Sequence, residues 1–257
     1  MIVLRSALYN FWFYLISVLL VLLCGLAALL PRARAVAAIE AISRLWARLV
    51  VGALRPLCGI DVVVTGRENL PAGPALIASN HQSAFDTVVW LYLIDRPAYV
   101  LKKELSYIPL YGMITRVTAM IVVDRAAGAS AIRELLGGAA RAMAAGRSVV
   151  IFPEGTRMPP GQVGVLHPGI AAMANHTGLP VVPVVTDSGH HWGRRSFRRF
   201  PGTITVAIRP ALPAGLPRRA LLAQLEAAYS VGVAAQPVDK AVEANLAGFQ
   251  RLGNKST

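Results

Sequence analysis

The sequence predicts an α/β fold: a mixed, largely parallel sheet flanked by helices, with an N-terminal membrane-anchoring helical segment. Three observations carry this. Residues 11–30 are an unbroken apolar or neutral run. Beyond Gly59, short β-branched runs alternate with helical stretches, the pattern of βαβ units. Several of those short runs are apolar throughout, as strands are when helices cover both faces of a parallel sheet. The chain's 257 residues suffice for one large α/β domain, or for one domain and an anchor.

Taken in order, the 20 residues of the first run would span about 30 Å as a helix, one hydrocarbon core. Phe11, Trp12, Phe13 and Tyr14 cluster at one end like an interfacial belt. Pro31 ends the run and Arg32 and Arg34 follow it, whereas only Arg5 precedes it. By the positive-inside rule the carboxyl side is cytoplasmic, which places the chain at the cytoplasmic side of the cell inner membrane. A second helical pattern over 36–57 repeats Ile39, Ile42, Leu45, Trp46, Leu49, Ala53 and Leu54 at steps of three or four, with Arg44, Arg48 and Arg55 among them. Such a helix suits the interface. Two arrangements compete: one spanning helix, or a two-helix hairpin dipping into one leaflet. A cleaved signal peptide fits less well, since the apolar run is too long and arginines follow it, although ARAVA resembles a cleavage site. The charge asymmetry argues against a buried core helix. Residues 1–58 are therefore assigned to the anchor and 59–257 to the α/β domain.

Within the domain, strands are predicted at 61–65, 75–78, 99–101, 119–123, 148–152, 181–185 and 203–208. Helices are predicted at 83–94, 108–117, 130–145 and 168–176, and from Pro217 helices lead into a polar tail, GNKST. Hydrophobic residues make up 55% and charged residues 15%, which excludes a disordered chain. Lys and Arg number 26 against 13 Asp and Glu, a formal charge of +13, and mean hydropathy is +0.52. A phospholipid surface matches both the charge and the grease. Nucleic acid matches only the charge, and 7% aromatic residues supply no stacking platform, so no nucleic-acid partner is expected. Two cysteines, Cys24 and Cys58, make neither a disulfide framework nor a four-ligand metal site.

Two strand ends carry the chemistry. Asn80-His81-Gln82-Ser83-Ala84-Phe85-Asp86 follows an apolar strand and precedes an apolar-periodic helix, where α/β folds place their sites. Five residues apart on one helix, His81 and Asp86 would point about 140° apart. With His81 in the turn and Asp86 on the first helical turn, the carboxylate reaches the imidazole, fixes its tautomer and leaves the other nitrogen as a base. The bland alternative is a capping turn with Asn80 or Ser83 as N-cap. Phe152-Pro153-Glu154-Gly155-Thr156-Arg157 follows a second apolar strand. Pro153 and Gly155 suit a tight turn. Arg157 suits a forked grip on phosphate, the N–H groups of Gly155 and Thr156 can add to it, and Glu154 can hold a hydroxyl. The alternative is an ordinary turn with a structural Glu–Arg pair. Lys102 and Arg125 stand beyond two further strand ends, as anion contacts or as solvated charge. A basic loop, Arg194, Arg195, Arg198 and Arg199, is interleaved with Trp192, Phe197 and Phe200; it suits anionic lipid, an acidic carrier protein or solvent.

Taken together and in order, NHQSAFD, LKKEL…IPLYG with VDR, FPEGTR and VVPVV resemble the four blocks of the glycerolipid acyltransferase family, closest to bacterial 1-acyl-glycerol-3-phosphate acyltransferases. The resemblance covers about 59–210. It implies His81 as the general base for the acceptor hydroxyl and Asp86 as its orienting carboxylate. It implies Glu154, Gly155, Thr156 and Arg157 as the glycerol-phosphate block, with Lys102 and Arg125 as further phosphate contacts. It implies no metal and no cofactor, an acyl thioester donor (acyl-CoA or acyl-carrier protein), and lysophosphatidate as acceptor, giving phosphatidate for phospholipid biosynthesis. Met158 and His167 depart from the family pattern: many members have Ser and Lys there. No G-x-S-x-G elbow marks a nucleophile. Other acceptors (glycerol 3-phosphate, another lysophospholipid, a lyso-aminolipid), a thioester or ester hydrolase, and a basic membrane-binding protein with a decayed site stand as alternatives.

Overall fold

The computed structural model describes residues 1–232; the predicted polar tail lies outside them. Two long helices open the chain, α1 (Ile2–Ala27) and α2 (Arg32–Gly52), followed by a π-helical turn at Leu54–Cys58. The domain then runs β1 (Ile60–Thr65), β2 (Leu76–Ser79), α3 (Phe85–Leu93), β3 (Ala98–Lys102), α4 (Tyr111–Val117), β4 (Ile121–Val123), α5 (Ala129–Ala144), β5 (Val149–Ile151), α6 (Gly169–Thr177), β6 (Val181–Thr186), β7 (Gly202–Ile208) and α7 (Arg218–Val231). Every predicted strand and every predicted helix within 59–210 is present, with boundaries shifted by up to three residues. The predicted start of β4 at 119 is late in the structure because Ala119 takes φ +49, a turn conformation.

The sheet has order β1-β7-β6-β2-β5-β3-β4. β2 through β6 are mutually parallel, β7 is antiparallel to β6, and β1 is parallel to β7. Ala78 of β2 stands beside Ile151 of β5 and Pro183 of β6, so these strands end level at one rim. Side chains alternate across the sheet, and both sides are covered. Ile77, Val150, Val182 and Val184 face a layer holding Tyr9, Val50, Phe85 and Trp90. Leu76, Val149, Ile151 and Val185 face the other layer, with Leu135, Ala139, Ile170 and Leu225.

The N-terminal helices therefore form part of the core layer. α1 extends nine residues further towards the N-terminus than the apolar run, because its polar residues find partners. The Ser6 hydroxyl accepts the Arg199 N–H at 2.8 Å, and Asn10 bonds both the Phe197 carbonyl and the Arg199 guanidinium. Tyr9 and Phe13 meet Trp192 edge-on at 5.4 and 5.8 Å, and the buried Arg199 guanidinium lies 4.6 Å over the Trp192 ring. Trp46 of α2 donates to Ser17, closing the hairpin. Further along, Cys24 and Ala27 pack with Met113 and Ile114 of α4. α2 ends sooner than the predicted 57, at a turn containing Pro56, which has no N–H to continue the helical ladder.

The opposite face of α1 has none of the described residues against it. Leu4, Leu8, Phe11, Leu15, Leu22 and Leu26 are exposed at steps of three, four and seven, one helical stripe. α1 is the one described helix long and apolar enough to cross a membrane, with mean hydropathy 2.1 over its best 18 residues.

Trp192→Ala removes the surface on which α1 docks. It is expected to cost about 3–5 kcal/mol, seen as a lower midpoint in thermal unfolding in detergent and as new protease cleavage within the first turns of α1.

Candidate active site

The predicted geometry of the first block is present. His81 sits in the turn after β2, and Asp86 on the first turn of α3. Asp86 Oδ2 lies 3.1 Å from His81 Nδ1 and accepts the backbone N–H groups of Gln82 at 2.7 Å and Ser83 at 2.8 Å. Its other oxygen accepts the Ser188 hydroxyl at 2.6 Å. The Asp86 side chain is 1% exposed and the His81 side chain 14%. A carboxylate has only acceptors, so Nδ1 carries the proton and Nε2 is left as the basic nitrogen. Phe152 stacks on the imidazole, with centroids 4.2 Å apart and planes 24° from parallel.

The capping alternative holds only in part. Ala84 flanks the start of α3 and Ser83 meets its first N–H, but His81 is largely buried and is not a surface residue. Asn80 instead pairs with the Thr186 backbone through both its amide atoms, at 3.0 and 2.8 Å, and ties the ends of β2 and β6 together. The Ser83 hydroxyl accepts the Phe85 N–H, and Ser79 donates to the Asn80 carbonyl. Among the described residues no Ser, Thr or Cys side chain bonds the His81 ring.

The second block is a tight turn after β5, closed by the Gly155 N–H donating to the Phe152 carbonyl at 3.0 Å. That N–H, expected to face a ligand, is thus spent within the turn. Glu154 is buried at 4% exposed. One of its oxygens accepts the His81 N–H at 2.7 Å and the other the Gly164 N–H at 3.0 Å. It holds the backbone of His81 from one side while Asp86 holds the ring from another. It makes no ion pair with Arg157, so the structural Glu–Arg pair weighed from sequence is not formed. Burial pushes the Glu154 carboxyl above its usual range, against the opposing pull of those two N–H donors.

Cations stand around this turn. Arg125, exposed beyond β4, donates to the Gly155 carbonyl at 2.6 Å. Thr156 is exposed and Arg157 half-buried. Lys102 ends β3 on the same rim, exposed. None of Lys102, Arg125 and Arg157 lies within an ion pair among the described residues, whereas neighbouring Lys103 pairs with Asp124 at 3.2 Å. Gly155 has φ +67, and a Cβ there would sit 2.7 Å from Arg125 Nη1 and 2.9 Å from the His167 ring. Met158 donates to the His81 carbonyl at 2.7 Å, so the two blocks are joined directly.

Ser188 and the ring of Phe152 were given no role from sequence. Phe152 lies inside the quoted block, but an aromatic at a strand end reads as core. Ser188 is 102 residues from its partner, and a single serine after a strand carries no local signal. The arrangement as a whole offers an oriented base, a buried carboxylate to hold the imidazolium, and unpaired cations nearby. It can deprotonate a hydroxyl on an anionic substrate.

An acyltransferase family model matches residues 61–187, an interval that includes all of the first block and the second. The 1-acyl-sn-glycerol-3-phosphate acyltransferase of Pseudomonas aeruginosa is 37% identical over 169 residues, 66% of this chain and 66% of that protein. A protein of the same name from Borreliella burgdorferi is 35% identical over 134 residues, 50% of this chain and 52% of its own length. The chain thus spans about two thirds of the first of these curated relatives and about half of the second. Among solved structures, the 1-acyl-sn-glycerophosphate (LPA) acyltransferase PlsC from Thermotoga maritima aligns with a TM-score of 0.75 at 25% identity, covering 93% of this chain and 100% of that one.

Two outcomes are expected at the site. Gly155→Ala forces a left-handed backbone on a residue with a side chain and displaces Arg125; a loss of about 1–2 kcal/mol is expected in thermal unfolding. In Glu154→Gln, part of the pH dependence of stability disappears. Above the ordinary carboxyl pKa, about 4.3, the unfolded chain has released the Glu154 proton while the folded carboxyl, its pKa raised, still holds it. This contribution is therefore full below the ordinary value and is lost as pH rises to the raised one. Asp187, also pushed up by burial, keeps its own slope in both proteins. Denaturation midpoints measured from about pH 4 upward should fall less steeply in the variant.

Proposed function

We propose that this chain, which belongs to the acyltransferase family, transfers an acyl group from a thioester to the free hydroxyl of 1-acyl-glycerol-3-phosphate, giving phosphatidate. The observation that carries this is His81 oriented by buried Asp86, beside unpaired arginines on the FPEGTR turn. The names of the relatives and of the structural neighbour support the acceptor.

The chemistry follows from the donor set. The acceptor hydroxyl gives its proton to His81 Nε2 as its oxygen attacks the thioester carbonyl. The tetrahedral adduct collapses, the C–S bond breaks, and the imidazolium returns the proton to the departing sulfur. Asp86 stabilises the imidazolium while it exists. A thioester is already activated, so a base and correct placement suffice. No covalent enzyme intermediate is required. This agrees with the absence of a hydroxyl or thiol on the His81 ring among the described residues. The donor is acyl-CoA or acyl-carrier protein. Glu154 acts by holding His81, and Arg157 with Arg125, Lys102 and Thr156 takes the phosphate.

The exposed stripe of α1 supports membrane association, and Arg32 and Arg34 beyond the apolar run support the cytoplasmic face. α1 is docked on the domain from Ser6, which accepts the Arg199 N–H at 2.8 Å, to Gly25, beside the Leu110 side chain. A helix held along its length in this way favours the two-helix hairpin seated in one leaflet over a span leaving the domain. That position gives the site access to a one-chain lipid, which prefers the bilayer to water.

The test is a reconstituted full chain given lysophosphatidate and labelled acyl-CoA or acyl-carrier protein, beside His81→Ala and a control without acceptor. Labelled phosphatidate from the native chain is expected, with the rate in His81→Ala down by roughly 10²–10⁴ and its folding intact. Free acid released without acceptor would assign a hydrolase instead.

A further inference from the structure

We propose that Arg194, on the loop between β6 and β7, is a further ligand of the acceptor's phosphate, completing a cradle with Arg157 and Arg125. This rests on the acyltransferase reading above and adds a residue outside the interval matched by the family model.

Read in sequence, the basic loop looks like a membrane or carrier-protein contact. In the structure one of its arginines, exposed, reaches the second block. Arg194 Nη1 donates to the Arg157 carbonyl at 3.1 Å. Arg125 is fixed in the same manner on the same turn, through the Gly155 carbonyl. Both guanidiniums are thus bonded within two residues of each other, on the turn that carries Arg157. The turn is joined to His81 by the Met158 N–H at 2.7 Å. A carbonyl oxygen lies about 2.3 Å from the next amide nitrogen, so Arg194 Nη1 stands at most about 8 Å from the His81 carbonyl oxygen. In the acceptor, the reacting hydroxyl is separated from phosphorus by only four bonds. A phosphate held at this turn thus keeps its hydroxyl in the neighbourhood of the base.

The charge balance points the same way. Arg194, like Arg157 and Arg125, has no carboxylate within 4 Å among the described residues. Its carbonyl contact uses one of five N–H donors and neutralises nothing. The remaining donors form a planar fork suited to phosphate oxygens. A phosphomonoester carries nearly two negative charges near neutral pH, more than one arginine balances.

The position of Arg194 is itself held. Arg199, buried at 6% exposed, is caged by Trp192, Asn10 and the carbonyls of Ser196, Phe197 and Arg198. Gly189, at the start of the same connection, is close-packed on Gln82 and Pro160, so the loop's root sits on the first block and on the segment just after the second. The loop is therefore braced at both ends against the site and α1.

The test uses the full chain in detergent micelles and measures KM for lysophosphatidate and for the acyl donor separately. Three variants are compared. Arg194→Gln keeps a neutral N–H donor on a shorter side chain and loses the charge. Arg194→Lys keeps the charge and loses the fork. Arg198→Ala removes a charge from the same loop. The expected result is acceptor KM raised roughly tenfold in Arg194→Gln, partly restored in Arg194→Lys, with donor KM unchanged and a smaller effect in Arg198→Ala. Binding of sn-glycerol 3-phosphate, followed by phosphorus NMR line broadening, should weaken in the same order. Unchanged acceptor KM in Arg194→Gln would reduce Arg194 to a staple of the turn and overturn the proposal. So would a rise confined to donor KM, which would assign Arg194 to the donor's phosphates, or an equal effect in Arg198→Ala, which would make it general loop charge. If the native chain makes no phosphatidate, the acyltransferase reading fails on its own, and Arg194-dependent line broadening still decides whether the anion site exists.

Discussion

The buried carboxylate of Asp86 is the constraint on which the rest of the rim depends. A charge taken out of water is costly unless every lone pair finds a donor. Here four donors converge: the His81 ring, the N–H groups of Gln82 and Ser83, and the Ser188 hydroxyl. They come from the turn after β2 and from the exit of β6. Asn80 ties those same two strand ends through the Thr186 backbone. The ring of His81 is therefore set by one buried carboxylate and its backbone by a second, Glu154, from the end of β5. Three neighbouring parallel strands each contribute one part of the base's orientation, which is what a level rim in a parallel sheet allows.

The two N-terminal helices belong to the same logic. They cover one face of the sheet, and the largest cluster of buried side chains runs from Tyr9 and Val50 through Trp90 to Ile204 without a break. The change of sequence pattern near residue 58 marks a change of element type, while the packing continues across it. α1 thus has two apolar faces in different surroundings, the sheet layer on one side and, among the described residues, nothing on the other. A catalytic rim carried on such a helix has a fixed height and tilt relative to whatever that bare face rests on.

How much of this was legible follows from which interactions are local. The seven strands were, because runs such as those at 149–151 and 181–185 are apolar at every position and bounded by turn residues. The His81–Asp86 contact was, because five residues is a spacing that a helix forbids and a turn permits. The burial of Glu154 was not: it depends on the segment around Gly164 folding back over the turn, which no residue near Glu154 announces. Nor was the docking of α1. Apolar periodicity states that a helix has a greasy face, and an all-round apolar helix gives no means of dividing lipid from core. The polar residues Ser6 and Asn10 were the informative ones, since each is placed where Arg199 can use it.

The way the rim holds its cations separates two tasks that a salt bridge would merge. Lys103 is paired with Asp124, and Arg96 with Glu40; those charges are largely cancelled where they stand. Arg125 and Arg194 are instead anchored to main-chain carbonyls of the turn. A carbonyl dipole fixes the direction of a guanidinium with one N–H and leaves its full charge to act on something else. Such anchoring is economical only where an anion arrives, because uncompensated like charges a few ångströms apart repel. The chain's excess of 13 positive charges is therefore not simply a coating for an acidic surface. Part of it is concentrated on one turn, directed by backbone atoms, and joined through Met158 to His81, the residue proposed to remove the proton.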